Sequence, residues 1–542
     1  MHGRMMASPL TITEIMRFAD RLYGETEVIS VTSDEGKHRS SYGEVFGRAN
    51  QVACALARLG IHSGDRVATL AWNDHRHLEL YYGVSCAGAV IHTVNPRLFP
   101  EQLGYMINHA GDRVVFFDPM FSPLLEALAD NLASVEAYVA LTSEEHMPDS
   151  KLSPLYCYEA LLEEHDTTYQ WPDLDERSAS ALCYTSGTTG NPKGVLYDHR
   201  STVLHAYAAC QPNVMGLSHH DVVLPVVPMF HVNAWGVPYA CPIAGAKLVM
   251  PGPKMGDGEA LQALIESESV TAALGVPTVW LALLGYLKES GKTVKTLNRT
   301  FVGGSACPIS IMEEFEAQHG VYTHHAWGMT EMSPLGAVNR LLPGMDALET
   351  SERNAVRAKQ GRPPFGVDMK IVDGDGRELP RDGVAFGDLK VRGWWVADGY
   401  FGHADNSETH DEEGWFSTGD VATIDQRGYL NITDRTKDVI KSGGEWISSI
   451  ELENLAVAHP DVAEAAVIGI KHEKWGERPL LVVVPTEGVT PDETSVLASF
   501  KGKVADWWIP DSMTLVEEIP HTATGKISKS TLREQFKNHT FG

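Results

Sequence analysis

Short apolar runs rich in β-branched and aromatic residues alternate with longer helical segments between about residues 40 and 430. The runs RVATLAW, RVVFFD, AYVALT, VVLPVVP and AKLVM are typical of buried strands, whereas EALQALIESE has the spacing of an amphipathic helix. This alternation predicts α/β layers rather than a β-sandwich or a helical bundle.

A turn-rich stretch, VDGDGRELPRDGVAFGDLKVRG, follows and predicts a small β-rich subdomain before residue 430. Further on, SSIELENLAVAHP predicts a helix with a capping box from Ser448 to Glu451 that ends before Pro460. Two strands, AEAAVIGI and PLLVVVP, and a last helix, SKSTLREQFKNH, come after it. The residues from Lys437 onward therefore predict a separate, small α+β domain behind a large α/β part.

Composition narrows the possible functions. The 542 residues exceed what one hydrophobic core supports, so two or more domains are expected. A net charge of −27 disfavours nucleic acid or anionic lipid as a partner. Seven cysteines without paired spacing argue against a disulfide framework or a zinc site and predict a cytoplasmic protein. The first segment, broken by Pro9, predicts an amphipathic helix rather than a signal peptide, and no apolar run predicts a membrane span.

One glycine-rich segment has the composition of a phosphate-binding loop. YTSGTTGNPKGV, residues 184–195, differs from a Walker loop because Lys193 follows Asn191 and Pro192 and precedes a glycine. Its glycines allow backbone N–H groups to approach an anion, and its hydroxyl groups add donors. The segment predicts a polyphosphate site, with an ordinary turn between strands as the alternative. Its glycines and donors are Thr185, Ser186, Gly187, Thr188, Thr189 and Gly190.

The same segment closely resembles the phosphate loop of the adenylate-forming superfamily, which comprises acyl-CoA synthetases, luciferases and peptide-synthetase adenylation domains. Six further segments resemble that family's motifs in the family's order: PMFHVNAW (228–235), GGSAC (303–307), AWGMTE (326–331), WFSTGD (415–420), DRTKDVIKSGGEWIS (434–448) and HTATGKI (521–527). The overall texture is most similar to the fatty-acyl-CoA synthetase branch. The resemblance implies an N-terminal adenylation domain over 1–434 that includes the β-rich subdomain, a hinge over 435–440 at Lys437, and a mobile C-terminal domain over 441–542.

Enzymes of this family join a carboxylate to the α-phosphate of ATP and release pyrophosphate. The carboxylate is already ionised at neutral pH, so the reaction needs positive charge rather than a base. The resemblance implies that Lys526 is the catalytic lysine and that Glu331 binds Mg²⁺. Taken alone, Lys526 would be a surface lysine and Glu331 a helix-start acid. The other residues implied for ATP are the loop with Lys193 on the β- and γ-phosphates, Gly304, Ser305, Ala306, Trp327 and Gly328 near the adenine, Thr330 on the α-phosphate, and Asp420 with Arg435 on the ribose.

The second half-reaction transfers the acyl group to CoA. By resemblance, KSGGEW moves in after adenylation and lines the pantetheine channel. Basic residues nearby, Lys471, His472 and Arg478 among them, are candidates for the CoA phosphates, with a solvated charged face as the alternative. The residues implied for CoA are Lys441, Gly443, Gly444, Glu445, Trp446, Lys474 and Glu477.

The acid itself is expected at PMFHVNAW. His231 and Trp235 are four residues apart and lie on one face if the stretch is helical. By resemblance, His231 lies beside the reacting carboxylate as a catalytic residue, and Trp235 with Gly303 borders the acyl tunnel. A packed core histidine is the alternative for His231. The stretch contains no aspartate to hold an amino group, which disfavours an amino-acid substrate.

Together these features predict a ligase that uses ATP, Mg²⁺ and CoA to form an acyl-AMP and then an acyl-CoA. The overall likeness is greatest to bacterial ligases of 3-(methylthio)propionate, a thioether acid of nearly the same shape as a short fatty acid, so butyrate-like acids are also expected to react. The alternatives are a general medium- or long-chain fatty-acyl-CoA synthetase, an enzyme that loads a carrier protein, and a nucleotide-binding regulator without catalysis. The family resemblance also implies a homodimer.

Overall fold

The computed structural model describes residues 3–185, 191–403, 407, 409–443, 445–521 and 527–541, and of Glu445 the backbone alone. In chain order its strands are β1 (Glu27–Val31), β2 (Lys37–Ser41), β3 (Arg66–Leu70), β4 (Val90–Thr93), β5 (Asp112–Phe117), β6 (Ala137–Ala140), β7 (Leu155–Cys157), β8 (Ala179–Tyr184), β9 (Gly194–Asp198), β10 (Val222–Pro225), β11 (Lys247–Met250), β12 (Ala272–Gly275), β13 (Arg299–Val302), β14 (Tyr322–Gly328), β15 (Leu335–Val338), β16 (Val367–Val372), β17 (Phe386–Gly393), β18 (Phe416–Ile424), β19 (Leu430–Arg435), β20 (Ile440–Ser442), β21 (Glu445–Ile447), β22 (Val462–His472), β23 (Gly476–Pro485) and β24 (Ser512–Leu515).

The helices are α1 (Ile12–Tyr23), α2 (Tyr42–Arg58), α3 (His75–Cys86), α4 (Pro100–Ala110), α5 (Ser122–Leu128), α6 (Tyr158–Glu163), α7 (His199–Ala209), α8 (Val232–Trp235), α9 (Val237–Ala244), α10 (Gly258–Glu268), α11 (Pro277–Ser290), α12 (Ile309–Glu314), α13 (Thr350–Arg357), α14 (Ser449–Val457), α15 (Glu493–Ala498) and α16 (Lys529–Gln535). These elements belong to two compact units. The first unit contains the described residues of 3–185, 191–367 and 392–407, and the second contains those of 368–391 and 409–541.

The first unit is built on two large sheets. The seven-stranded sheet has the order β7-β6-β5-β3-β4-β8-β9 and is parallel except between β8 and β9. The eight-stranded sheet has the order β15-β14-β13-β12-β10-β11-β1-β2 and is antiparallel only at its two ends. The five strands predicted from apolar runs occur as β3, β5, β6, β10 and β11, and the predicted helix is α10. The predicted α/β class is confirmed.

Helix α3 is buried over all 12 of its residues although five of them are polar or charged. Its Arg76 pairs with Asp34 at 2.9 Å and with Glu159 at 2.7 Å. Its Glu79 accepts a hydrogen bond from Arg48 Nε at 2.7 Å. Because each buried charge meets an opposite charge, a polar helix is accommodated in the interior.

The second unit contains the predicted β-rich sheet, in the order β16-β17-β18-β19, and a sheet in the order β21-β20-β23-β22, with β24 parallel to β23. Helix α14 begins where the sequence predicts it, since Ser448 Oγ accepts a hydrogen bond from the Glu451 N–H at 3.1 Å. The β-rich sheet thus groups with the C-terminal residues. The predicted boundary at residue 434 and the hinge at 435–440 concern a movement and stay predictions.

All seven cysteines are unpaired. Burial raises the pKa of every one of these thiols, for example that of Cys183 to about 11 and that of Cys86 to about 12. None of the helices within the described ranges combines the length and the apolar character that crossing a bilayer requires.

Candidate active site

The predicted phosphate loop leaves the seven-stranded sheet between β8 and β9. Tyr184 pairs with Gly194 across this hairpin. Just beyond, the Thr185 N–H donates to the Lys193 carbonyl oxygen at 2.9 Å, and the Lys193 N–H donates to Thr185 Oγ1 at 3.3 Å. These bonds hold the two ends of the loop together. The residues between them, Ser186, Gly187, Thr188, Thr189 and Gly190, lie outside the described residues.

Lys193 and Glu331 come from distant segments and meet at one tyrosine. The Lys193 ammonium lies 4.8 Å from the centre of the Tyr400 ring. The Tyr400 hydroxyl donates to Glu331 Oε1 at 2.6 Å. Burial raises the pKa of Tyr400, and the neighbouring Glu331 carboxylate raises it further, so the phenol keeps its proton. Sequence analysis missed Tyr400, because a single tyrosine outside the quoted motifs forms no pattern.

Thr330 and Glu331 occupy the turn between β14 and β15, and both are buried. The Tyr197 hydroxyl donates to the Thr330 carbonyl oxygen at 2.5 Å. The Ala397 N–H donates to the Glu331 carbonyl oxygen at 2.8 Å. The main chain of this turn is therefore fixed from two sides, and one oxygen of the Glu331 carboxylate accepts the hydrogen bond from Tyr400.

The residues predicted near the adenine follow two neighbouring parallel strands, β13 and β14. Residues 304–306 are exposed directly after β13, and Gly304 has a φ of +83°, which favours glycine. Trp327 and Gly328 end β14, where a Cβ at Gly328 would lie 1.9 Å from the Pro334 carbonyl oxygen. Because the carboxyl ends of parallel neighbours meet at one edge of a sheet, the fold brings these residues together.

The predicted acid-pocket segment does not form a right-handed helix. His231 is extended, with φ −128° and ψ 113°. The four residues of α8 then have φ between 47° and 57°, in the left-handed region. The expectation that His231 and Trp235 share one helix face is therefore wrong, because His231 precedes the turn that carries Trp235.

Buried polar contacts hold this left-handed turn. Asn233 Oδ1 accepts hydrogen bonds from the Tyr81 hydroxyl at 3.1 Å and from Cys183 Sγ at 3.3 Å. Trp235 lies against Gly303, where an added Cβ would be 3.2 Å from the indole ring. The fold thus brings together Trp235 and Gly303, the two residues predicted to border the acyl tunnel.

In the second unit, Asp420 and Arg435 lie opposite each other on β18 and β19. Arg435 Nε lies 2.8 Å from Asp420 Oδ1, and the Asp420 side chain is 3% exposed. The Thr436 N–H donates to the Gly419 carbonyl oxygen at 2.9 Å, which extends this pairing. Lys437, the predicted hinge residue, follows and is exposed.

The predicted CoA loop connects β20 to β21. Gly443 has a φ of +63°, its N–H donates to the Trp475 carbonyl oxygen at 2.7 Å, and a Cβ there would lie 2.9 Å from the Trp475 ring. The Lys441 N–H donates to Glu477 Oε2 at 2.9 Å. The segment around Trp475 therefore braces the loop. Gly444 and the side chain of Glu445 lie outside the described residues, as does the predicted catalytic residue Lys526.

Two of the predicted CoA cations lie over tryptophan rings. Lys441 Nζ lies 5.7 Å from the centre of the Trp446 ring, and Lys474 Nζ lies 4.4 Å from that of Trp475. Such contacts keep an ammonium group near an apolar surface without neutralising its charge. Neither ring contact occupies a carboxylate, so both side chains stay suited to an anionic ligand.

Arg478 is a different case, and its expectation as a CoA-phosphate residue is wrong. Its side chain is buried and bonds to Asp511 at 2.6 and 2.9 Å. It also donates to Ser442 Oγ at 3.2 Å and to the carbonyl oxygens of Trp507 and Ile509 at 2.6 and 3.2 Å. With its donors used inside the protein, Arg478 supports the fold rather than a ligand.

Two family models match the chain. The AMP-binding enzyme model matches residues 17–401, and the model of the AMP-binding enzyme C-terminal domain matches residues 451–526. The chain belongs to the AMP-binding enzyme family. The first match includes Lys193, Glu331 and Tyr400, and the second ends at Lys526. The family resemblance read from the motifs is confirmed.

Curated members of the family include close relatives of this chain. It is 53% identical over 538 residues to the 3-methylmercaptopropionyl-CoA ligase of Ruegeria pomeroyi, covering 99% of both chains. It is 50% identical over 536 residues to the medium-chain-fatty-acid–CoA ligase of Ectopseudomonas oleovorans, covering 99% of this chain and 98% of that protein. These AMP-binding enzymes are CoA ligases, as the sequence analysis predicts for this chain.

A solved structure extends the likeness to the fold. The chain resembles ATP-bound MatB from Rhodopseudomonas palustris with a TM-score of 0.82 and 26% identity, over 97% of this chain and 99% of that one. The AMP-binding fold therefore spans both units of the chain.

Proposed function

We propose that this protein is an ATP-dependent CoA ligase whose acid is 3-(methylthio)propionate, also named 3-methylmercaptopropionate, or a short fatty acid of similar shape. The observation that carries the proposal is the 53% identity, over 99% of both chains, to a relative named for that acyl-CoA. The 50% identity to a medium-chain ligase supports the same reaction class with a longer acid as the runner-up.

The proposed reaction has two halves. In the first, a carboxylate oxygen of the acid attacks the α-phosphorus of ATP, the bond to the bridging oxygen breaks, and pyrophosphate leaves. In the second, the CoA sulfur attacks the acyl carbon, AMP leaves, and the thiol proton is released. The protein must bring two anions together in the first half, so fixed positive charge and hydrogen-bond donors carry the catalysis.

The residues of the first unit fit a magnesium ion. Glu331 is a buried carboxylate with one oxygen held by Tyr400, and Mg²⁺ takes one or two carboxylates together with substrate phosphates. When bound, the ion supplies charge neutralisation at those phosphates. We assign Lys193 and the loop at 185–190 to the β- and γ-phosphates, the group that leaves as pyrophosphate.

The remaining assignments follow from the motifs. Lys526 supplies charge to the reacting carboxylate and α-phosphate, and Thr330 donates to that phosphate. Asp420, oriented by Arg435, accepts the ribose hydroxyls. The adenine lies among residues 304–306 and at Trp327 and Gly328, and His231 and Trp235 with Gly303 form the acid pocket.

For the second half, Lys441 and Lys474 are proposed to meet the CoA phosphates, and the hairpin at Gly443 to flank the pantetheine. Lys437 is the proposed hinge between the two catalytic arrangements. A homodimer and a cytoplasmic location complete the proposal.

The test is a direct assay of the purified protein with ATP, Mg²⁺, CoA and a panel of straight-chain C3 to C16 acids plus 3-(methylthio)propionate. AMP release and thioester formation are measured for each acid. We expect 3-(methylthio)propionate and butyrate to differ in kcat/KM by no more than about 10- to 200-fold, the range for one methylene in an apolar pocket. No AMP release with any acid overturns the ligase proposal, and a clear optimum at C8 or longer replaces the thioether acid with the runner-up.

A second arm separates the carrier-loading alternative. The same assay is run with a pantetheine-bearing carrier protein in place of CoA. Faster acyl transfer to the carrier than to CoA at equal thiol concentration would favour that alternative.

A further inference from the structure

Tyr400 lies between two chain segments whose residues the proposed function places on ATP and Mg²⁺. Its hydroxyl donates to Glu331 Oε1 at 2.6 Å, and its ring centre lies 4.8 Å from Lys193 Nζ. Tyr400 thus contacts both Glu331, which follows β14, and Lys193, which precedes β9.

The main chain around Tyr400 is anchored to the same two segments. The Ala397 N–H donates to the Glu331 carbonyl oxygen at 2.8 Å, and the Phe401 N–H donates to the Gly194 carbonyl oxygen at 2.8 Å. Gly194 directly follows Lys193. The main chain on either side of Tyr400 is therefore held to both segments by backbone hydrogen bonds, and the ring and hydroxyl contacts with Lys193 and Glu331 add to this anchoring.

The hydroxyl contact has a specific consequence for a carboxylate. A short O–H···O⁻ bond is among the strong hydrogen bonds in proteins, and it fixes the rotation of the carboxyl group. With Oε1 accepting from Tyr400, the orientation in which Oε2 is presented to a hard cation is set before the cation arrives.

The ring contact has a separate consequence for the lysine. A lysine side chain loses rotamer entropy when it is fixed, and an ion pair with a carboxylate would neutralise the charge that a phosphate requires. An aromatic face attracts the ammonium without neutralising it. The Tyr400 ring can therefore restrict Lys193 and leave its charge available.

We propose that Tyr400 is a positioning residue that orients Glu331 for Mg²⁺ through its hydroxyl and Lys193 for the ATP polyphosphate through its ring. Tyr400 touches no reacting atom and acts through these two residues. The inference rests on the proposed function for the identity of the ligands. It has two arms that can be tested separately: the hydroxyl arm concerns Glu331 and Mg²⁺, and the ring arm concerns Lys193 and ATP.

Two variants test the arms. Tyr400→Phe removes the hydroxyl and keeps the ring, so the Mg²⁺ concentration for half-maximal activity should rise about tenfold, the effect of losing a hydrogen bond to a charged group. The KM for ATP at saturating Mg²⁺ should stay within about twofold. Tyr400→Leu removes both contacts and should raise that KM a further two- to tenfold, the range for a cation–π contact.

A binding measurement gives a readout independent of turnover. Mn²⁺ replaces Mg²⁺, and electron paramagnetic resonance follows free Mn²⁺ in the presence of a non-hydrolysable ATP analogue. Tyr400→Phe should weaken Mn²⁺ binding by about the same factor as it raises the Mg²⁺ requirement. The rate of acyl transfer from synthetic acyl-AMP to CoA should equal that of the wild type, since that half-reaction uses neither the metal nor the polyphosphate.

The surface of α11 offers a matched control with the same three side chains. The Tyr286 hydroxyl donates to Glu259 Oε1 at 3.2 Å, and Lys292 Nζ lies 5.2 Å from the centre of its ring. Tyr286→Phe and Tyr286→Leu should change neither the Mg²⁺ requirement nor the KM for ATP.

Each outcome decides the inference. Unchanged Mg²⁺ and Mn²⁺ half-saturation in Tyr400→Phe overturns the hydroxyl arm, and equal KM values for ATP in the two variants overturn the ring arm. An equal loss in the acyl-AMP half-reaction shows a purely structural role. If the wild type releases no AMP with any acid, the proposed function fails, while Mn²⁺ binding with the ATP analogue still tests the role of Tyr400.

Discussion

At the scale of single residues, two lysines carry different parts of the proposed adenylation. Lys193 is already held beside the Tyr400 ring, close to the ends of the phosphate loop. Lys526 lies outside the described residues, and its role rests on the motif HTATGKI. In the proposed reaction, one lysine serves the leaving group and the other serves the reacting phosphorus, so their removal should affect different kinetic constants.

We expect Lys526→Ala to slow acyl-AMP formation by about 10² to 10³, the scale for losing one preorganised donor to developing charge. The transfer of a chemically supplied acyl group from acyl-AMP to CoA should keep its rate. Rapid-quench measurements of the two half-reactions test this. Lys193→Ala is the matched variant, and it should raise the KM for ATP while sparing the second half-reaction. Equal losses in both halves for Lys526→Ala would contradict the assignment.

At the scale of secondary-structure elements, α8 is unusual because its four consecutive residues, none of them glycine, have a positive φ. A left-handed turn costs about 1 to 2 kcal/mol for each residue that has a Cβ, and α8 contains four such residues. Backbone strain of this kind persists only where contacts with the surrounding structure hold the strained conformation in place. The hydrogen bonds to Asn233 and the contact of Trp235 with Gly303 supply that constraint beside the proposed acid pocket.

Asn233→Ala should lower the free energy of unfolding by about 2 kcal/mol, because it removes an acceptor for Cys183 and places a less tolerant residue at φ 50°, while the Tyr81 hydroxyl keeps its 2.5 Å bond to the Met229 carbonyl oxygen. It should also flatten the preference among acids of different length. Urea unfolding and kcat/KM over the acid panel measure the two effects. The control is Asn50→Ala in the right-handed helix α2, where alanine is favoured and the change should stay within about 0.5 kcal/mol.

A charged cluster at the end of α10 links that helix to two strands. The Glu268 side chain is 1% exposed and lies 2.7 Å from Arg39 on β2 and 3.0 Å from Lys247 on β11, and it also pairs with Lys37. Burial raises the pKa of Glu268, but the hydrogen bonds and charges of the two lysines outweigh it and lower the pKa to about 2.

Glu268→Gln should lower the free energy of unfolding by about 3 kcal/mol at pH 7, which corresponds to the shift from 4.5 to about 2. Because the pKa is lower in the folded state, this stabilisation is complete above pH 4.5 and is lost as the pH falls toward 2. The difference from the wild type should therefore shrink to about half by pH 3, as followed by tryptophan fluorescence in urea. Glu27→Gln, at an exposed partner of Lys247, should cost no more than about 0.5 kcal/mol. A difference that does not change with pH would contradict the argument.

These elements also show what the sequence can and cannot predict. Strands such as β3 and β5 were predictable, because a buried strand leaves a short run of apolar residues in the sequence. The start of α14 was predictable, because its capping residues are polar and lie close together in the sequence. The burial of α3 was not, because Arg76 is neutralised by Asp34 and Glu159 from distant parts of the chain. The left-handed turn and the contacts of Tyr400 likewise arise from tertiary packing. Motifs predicted the site residues, and only the fold revealed which of the described ones touch.

At the scale of the whole molecule, the proposed ligase must present two different segments of its C-terminal part in turn. In the proposal, Lys526 serves adenylation, and the hairpin at Gly443 serves acyl transfer to CoA. A change of backbone dihedral angles at Lys437 is the proposed means of exchange, on the slow timescale typical of lid motions.

Lys437→Pro should therefore separate the two half-reactions, because proline fixes φ near about −65° and removes one of the two backbone conformations. We expect one half-reaction to keep its rate and the other to fall by at least about tenfold, when each is assayed alone. Lys437→Ala should leave both unchanged. If the proline variant runs both halves at the wild-type rate, the hinge is elsewhere.

The cysteines, four of them buried and three partly buried, have a consequence for an enzyme whose proposed co-substrate is itself a thiol. Thiol–disulfide exchange requires a thiolate, and full or partial burial raises the pKa of all seven protein thiols, which disfavours that form. Oxidised CoA disulfide therefore meets a protein that is slow to form mixed disulfides with it. The sulfur chemistry of the active site is left to the substrate, and the enzyme should tolerate an oxidised CoA pool without covalent inactivation.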